Sequence, residues 1–169
     1  MFFLKDLPTD RNLREFSARY PNMNPSALKT GAELMRTGSD LLAAFETILS
    51  RSGLSQGRFL TLIVMNRAPD EEINPSALAQ KLGVTRATMT GLLDGLQKKG
   101  LIERRAHAAD RRKVGVLLTA NGRRTLDNIL PDYYRHFAKL TTYLDEGERQ
   151  TLLSLLKKVN QGLLAITSK

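Results

Sequence analysis

The stretch PSALAQKLGVTRATMTGLLDGLQKKG, residues 75–100, decides how this chain is read. Asn74-Pro75 is a helix start, with asparagine as the cap and proline at the first helical position, where a missing N–H costs nothing. Ser76 to Leu82 therefore forms a short helix ended by Gly83, and Thr85 caps a new helix from Arg86 to Lys99. Only Gly83-Val84-Thr85 separates the two. Two short helices joined by a three-residue turn containing glycine are the pattern of a helix-turn-helix. Gly100 closes the second helix, and a hairpin follows. Its strands are Leu101 to Arg105 and Lys113 to Leu118, the second with Val114, Val116 and Leu118 alternating on one face. The charged loop Ala106 to Arg112 joins them, so the hairpin reads as a wing.

The net charge of +9 gains meaning from its location. Between Lys81 and Arg124 stand eleven basic and three acidic residues, a net +8 in 44 residues. The other 125 residues carry 15 basic and 14 acidic side chains. Charge concentrated in this way is the footprint of a polyanion-binding face, whereas a merely solvated surface intersperses both signs.

Outward from this segment, the flanks read as helices. Residues 1 to 24 form an arm with breakers at Pro8 and Pro21 and a short helix over Asp10 to Arg19. Asn24-Pro25 repeats the cap-then-proline start. Leu28, Leu34, Met35, Leu41, Leu42, Phe45, Ile48 and Leu49 follow at helical spacing until Gly53. The next helix begins at Ser55, with Leu54 placed to staple against Phe59, and runs to about Arg67. Thr119 caps a long helix through Leu126, Ile129, Tyr133, Phe137 and Leu140, which Pro131 kinks without ending. Asp145 and Glu148 make a capping box for a last helix, whose Leu152, Leu153, Leu155, Leu156, Val159, Leu163 and Leu164 form a wide apolar side. That side exceeds what one small winged domain covers, and Met1-Phe2-Phe3-Leu4 adds a further apolar patch.

The fold expected is mainly α with a small β-hairpin wing: a winged helix-turn-helix with dimerising terminal helices. It divides into an arm and dimerisation helix over 1–52, a DNA-binding domain over 53–118 and dimerisation helices over 119–169. Residues 1–52 and 125–169 are expected to form an intermolecular interface.

Several function classes are set aside. No run of about 18 apolar residues is present, so no membrane span is expected. Met1 to Pro8 lack a basic n-region and a long apolar run, so they do not read as a signal peptide. There is no cysteine, which removes disulfides and thiolate zinc ligands, and His107 and His136 form no ligand cluster. No nucleophile–base pair, phosphate-cradling glycine loop or metal set appears. We therefore expect no enzyme, no catalytic residue, no metal and no cofactor, and a cytoplasmic protein.

With Met89 as the zero of a helical wheel at about 100° per residue, Leu92, Leu93 and Leu96 cluster with it as a core face. The opposite face is Ala87, Gly91, Asp94 and Lys98. Thr88 and Gly95 flank it on one side, and Arg86, Thr90 and Gln97 on the other. Two helical glycines cost about 1 kcal/mol each relative to alanine. Either close approach to DNA or tight packing against another helix compensates. Arg86, Thr88 and Thr90 project near the amino-terminal end, where a recognition helix meets base edges. Arg86 either reads guanine or holds phosphate alone. Asp94 and Lys98, four apart, can pair on the surface. On the wing, Arg104, Arg105, His107, Arg111, Arg112 and Lys113 suit a minor groove or phosphates. Asp110 has the wrong sign for DNA and is expected to fix the loop through a neighbouring arginine such as Arg112.

The run Leu82 to Thr90, then Lys98-Lys99-Gly100-Leu101-Ile102-Glu103-Arg104, Asp110-Arg111-Arg112 and Leu118-Thr119-Ala120-Asn121-Gly122 resembles the MarR family of bacterial regulators, in order and spacing over about residues 54 to 124. The resemblance implies a triangular homodimer that docks each winged domain in a major groove of a pseudopalindromic operator. It also implies a repressor released by small molecules, often phenolic. It places the base-reading end at Thr85 to Thr90, the wing base at Arg104 and the wing's motif at Asp110-Arg111-Arg112; Lys98 is also expected to contact DNA. Between dimer helices and winged domain it implies an effector cleft, for which Met35, Arg36, Phe45, Phe59, Met65 and Tyr133 are candidates; core packing is the competing reading of the apolar ones. The chain departs from many relatives at Gly91 and Gly95, where they carry basic residues, and at the wing tip Ala106-His107-Ala108-Ala109, which lacks their acid and proline. The competing function is a non-specific architectural DNA-binding protein, which shares the basic face but needs no base-reading helix end.

Overall fold

Short polar side chains that satisfy the free N–H groups of a helix's first turn decide where the helices begin. In the computed structural model, α1 (Asp10–Arg19) starts at Thr9, and α2 (Pro25–Ser50) starts at Asn24, which accepts from the Ala27 amide at 3.0 Å. The backbone is described for residues 4–107 and 110–167, and side chains within these except for 106–114 and 167. Thr9 and Asn12 form a reciprocal capping box that hydrophobic spacing does not reveal. α3 (Gln56–Met65) is capped by Ser55 and stops two residues before the expected Arg67, with Asn66 closing its last turn.

α4 (Pro75–Leu82) and α5 (Arg86–Lys98) are the two helices of the quoted stretch. Gly83 ends α4 at φ +65°, a left-handed conformation that glycine adopts without a Cβ penalty. Thr85 then accepts from the Thr88 amide at 3.1 Å and starts α5 after a three-residue turn. α3, α4 and α5 pack on one another and on the wing strands. Phe59, Leu62, Leu78, Met89, Leu93, Leu96 and Val116 are each at most 1% exposed and form the centre of this core. Each such side chain contributes about 1.5–3 kcal/mol by leaving water.

The wing is an antiparallel pair, β1 (Ile102–His107) and β2 (Asp110–Leu118), in register from Ile102 opposite Leu118 to Ala106 opposite Val114. The register breaks between Ala106 and His107. Ile73 adds a third, one-residue strand, exchanging both backbone hydrogen bonds with Val116 at 3.0 Å. The expected loop over Ala106 to Arg112 is therefore corrected, because Ala106 and His107 belong to β1 and Asp110, Arg111 and Arg112 to β2. A hairpin with solvent on its faces accepts charged side chains, so charge density there does not mark a loop.

The chain divides into two compact units, Met1–Leu118 and Thr119–Lys169. In the second, Thr119 caps α6 (Ala120–Leu140), which continues through Pro131. α7 (Glu146–Thr167) begins with the expected box: Glu148 accepts from the Asp145 amide at 2.9 Å, and Asp145 from the Glu148 amide at 2.8 Å. No described residue of α7 is buried. Leu152, Leu155, Val159, Leu163 and Ile166 recur three and four apart as one stripe, 37–80% exposed. No helix among the described residues is long and apolar enough to cross a membrane.

Candidate nucleic-acid interface

The core face of α5 anchors it and so fixes what its other faces present. Met89, Leu93 and Leu96 are buried and Leu92 is half-buried, whereas Ala87, Gly91, Asp94 and Lys98 are exposed. Arg86, Thr88 and Thr90 are exposed at the amino-terminal end. The two threonine hydroxyls already have local partners. Thr88 Oγ1 lies 2.9 Å from Thr85 Oγ1, and Thr90 Oγ1 donates to the Arg86 carbonyl at 3.0 Å. Thr85 itself is the helix cap, so its oxygen holds the first turn. The hydroxyl oxygens keep accepting lone pairs, and the Arg86, Thr88 and Thr90 side chains are exposed to solvent.

The two helical glycines part company. A Cβ on Gly91 would meet nothing within 4 Å, so that position is open surface where a groove floor could approach. A Cβ on Gly95 would lie 2.5 Å from Arg58 Nε and 2.6 Å from its Cζ, so this glycine seats the guanidinium of an α3 arginine. The packing reading holds at Gly95. A second close approach of the same helices sets Leu92 against Gly57, where a Cβ would lie 3.0 Å from the leucine Cδ2. Arg58 is not legible as a site residue in the sequence: it stands 37 positions before Gly95, and no local pattern joins them.

Arg104, at the wing base, reaches back to α5. Its Nη1 lies 2.6 Å from Asp94 Oδ1 and donates to Gln97 Oε1 at 3.1 Å. Asp94 thus pairs with Arg104 and not with Lys98, which is exposed and without an ion pair among the described residues. A charge-assisted bond to a half-covered arginine outweighs an exposed i,i+4 pair worth a few tenths of a kcal/mol. The link fixes the wing's root to the recognition helix. Arg105 is exposed and pairs with Glu103. Further along the hairpin, the Glu72 carboxyl covers Gly115, whose Cβ would lie 2.9 Å from Glu72 Cδ. The backbones of His107, Asp110, Arg111, Arg112 and Lys113 lie in β1 and β2. Their side chains, and with them the loop-fixing role expected of Asp110, lie outside the described residues, as do Ala108 and Ala109.

The effector candidates fall in different settings. Phe45, Phe59 and Met65 are core side chains, 8%, 0% and 3% exposed, so packing accounts for them. Met35 is exposed. Arg36 pairs with Asp40 at 2.7 Å and donates to the Leu4 carbonyl at 3.1 Å, tying the arm to α2. Tyr133 stacks edge-on against Phe137 with centroids 4.9 Å apart, and burial pushes its phenol above the usual tyrosine range.

The chain is similar to known proteins. The sequence profile of the MarR family matches residues 52–113. The HTH-type transcriptional repressor YetL of Bacillus subtilis is 34% identical over 153 residues, which cover 90% of this chain and 92% of YetL. The transcriptional repressor MprA of Escherichia coli K12 is 28% identical, over 90% of this chain and 86% of MprA. Among solved structures, the transcriptional repressor CouR bound to a 23-mer DNA duplex superposes with a TM-score of 0.68 at 29% identity, covering 77% of this chain and 91% of CouR.

Proposed function

The chain belongs to the MarR family, and on that premise we propose that it is a sequence-specific DNA-binding repressor acting in the cytoplasm as a homodimer on a pseudopalindromic operator. One observation carries the reading. α5 stands with its apolar face locked in the core and an open, small-residue face outward, while the basic residues gather at its ends and on the wing. Such a helix enters a major groove with Arg86, Thr88 and Thr90 toward the bases, Thr85 holding the first turn beside them. Lys98, Arg104, Arg105, His107, Arg111, Arg112 and Lys113 engage the backbone and minor groove. The repressors YetL and MprA and the DNA-bound form of CouR support this.

The dimer rests on the terminal helices. The exposed stripe of α7, with Leu28, Leu34, Met35 and Leu42 of α2 also 38–58% exposed, gives residues 1–52 and 125–169 more apolar surface than a monomer leaves in water. A second copy covers it, and its two-fold axis sets two recognition helices one turn of DNA apart. A small aromatic or phenolic effector releases the operator; no cofactor or metal takes part. Like the repressors YetL and MprA, the protein acts as a transcriptional regulator.

Footprinting of the purified protein on genomic DNA tests this reading. We expect protection of two symmetric half-sites with centres about 10–10.5 base pairs, or a multiple, apart. Uniform protection with no preferred site would leave the architectural alternative in place.

A further inference from the structure

Arg58 sits in α3, outside the helix-turn-helix and the wing, yet its guanidinium lies on Gly95 of the recognition helix. Its Nε is shielded from solvent and has no hydrogen-bond partner. Its own amide donates to Ser55 Oγ, but the side chain makes no hydrogen bond or ion pair among the described residues. Glu46, which accepts from the Gln56 amide two residues before Arg58, forms no ion pair with it. A cation held against a helix without a counter-charge is an expensive arrangement unless an anion arrives.

Position identifies the anion. About 120° round α5 from Met89, Gly95 and Thr88 form one flank of the outward face; Gln97, about 80° the other way, marks the opposite flank. A helix 10–12 Å across nearly fills a major groove about 12 Å wide, so the two phosphate strands run along its flanks. Arg104 occupies the Gln97 flank, already paired with Asp94. Arg58 occupies the other, unpaired. We propose that Arg58 is a DNA-backbone contact, seated by Gly95, that holds a phosphodiester beside the recognition helix. The proposal rests on the DNA-binding reading above and assigns to α3 a part in it.

Salt dependence of binding is the test, because it counts phosphates neutralised. Each contact contributes about 0.9 to the slope of log affinity against log salt, so a dimer of Arg58→Gln should lose about 2 from the slope. At about 0.1 M salt, that is roughly an eightfold loss per half-site, equal on operator and random DNA. Arg58→Lys should keep most of the slope. Gly95→Ala, which removes the seat and no charge, should weaken binding as well. A wild-type slope in Arg58→Gln would overturn the proposal, as would failure of every Arg58 variant to fold, since the arginine would then be a packing residue. Because random DNA reports the slope too, loss of operator preference by the wild type would overturn the repressor reading and leave this one standing.

Discussion

Replacing Arg111 and Arg112 together with glutamate is expected to lower operator affinity by about 10³-fold or more at about 0.1 M salt, with the dimer intact. Taking two phosphate-binding cations from each protomer takes four from the dimer, each near eightfold at that salt, before any repulsion from the new carboxylates. The backbones of both residues lie on β2 near the far end of the hairpin, within the register break between the pairs Ala106–Val114 and His107–Asp110. Sedimentation and circular dichroism should therefore match the wild type while gel-shift binding disappears. Loss of the dimer would place these arginines at an interface between copies. Retained binding would remove the wing from the DNA interface altogether.

The second large effect concerns the other end of the molecule. Leu155→Asp with Leu163→Asp sets two carboxylates in each copy of the α7 stripe, where both leucines are 51% exposed in the single chain. Placing an unpaired charge in an apolar interface costs several kcal/mol, so dissociation by 10³-fold or more is expected on the order of one such penalty. Sedimentation at micromolar concentration should show monomers. Operator binding should fall with it, because one winged domain reaches one half-site. Leu155→Ala serves as the control that keeps the face apolar and weakens the dimer less. A doubly substituted chain that remains a dimer would show that α7 does not carry the interface.

Local chemistry is legible in the sequence wherever one residue suffices to set it. Asn24-Pro25, Asn74-Pro75, Thr85, Thr119 and the pair Asp145 and Glu148 begin helices where capping geometry says they should, and Gly83 ends one with positive φ. The periodicity of α5 likewise separates Met89, Leu93 and Leu96 from Ala87, Gly91, Asp94 and Lys98. What stays hidden depends on partners distant in the chain. Spacing alone pairs Asp94 with Lys98, but Arg104 on the wing outcompetes it with a 2.6 Å contact. Gly91 and Gly95 look alike on a wheel, and only the position of Arg58 separates an open surface from an arginine's seat. The wing strands run longer than expected because charged composition suggests a loop, whereas an exposed hairpin accepts the same side chains.

The most direct test of sequence-specific repression by this chain is the ratio of its affinities for the footprinted operator and for random duplex of equal length, titrated at one fixed salt concentration near 0.15 M. A ratio of about 10³ or more is expected if Arg86, Thr88 and Thr90 read bases from an anchored helix. A ratio near unity, with a steep salt slope on both duplexes, would contradict it and leave a protein that holds DNA by charge alone.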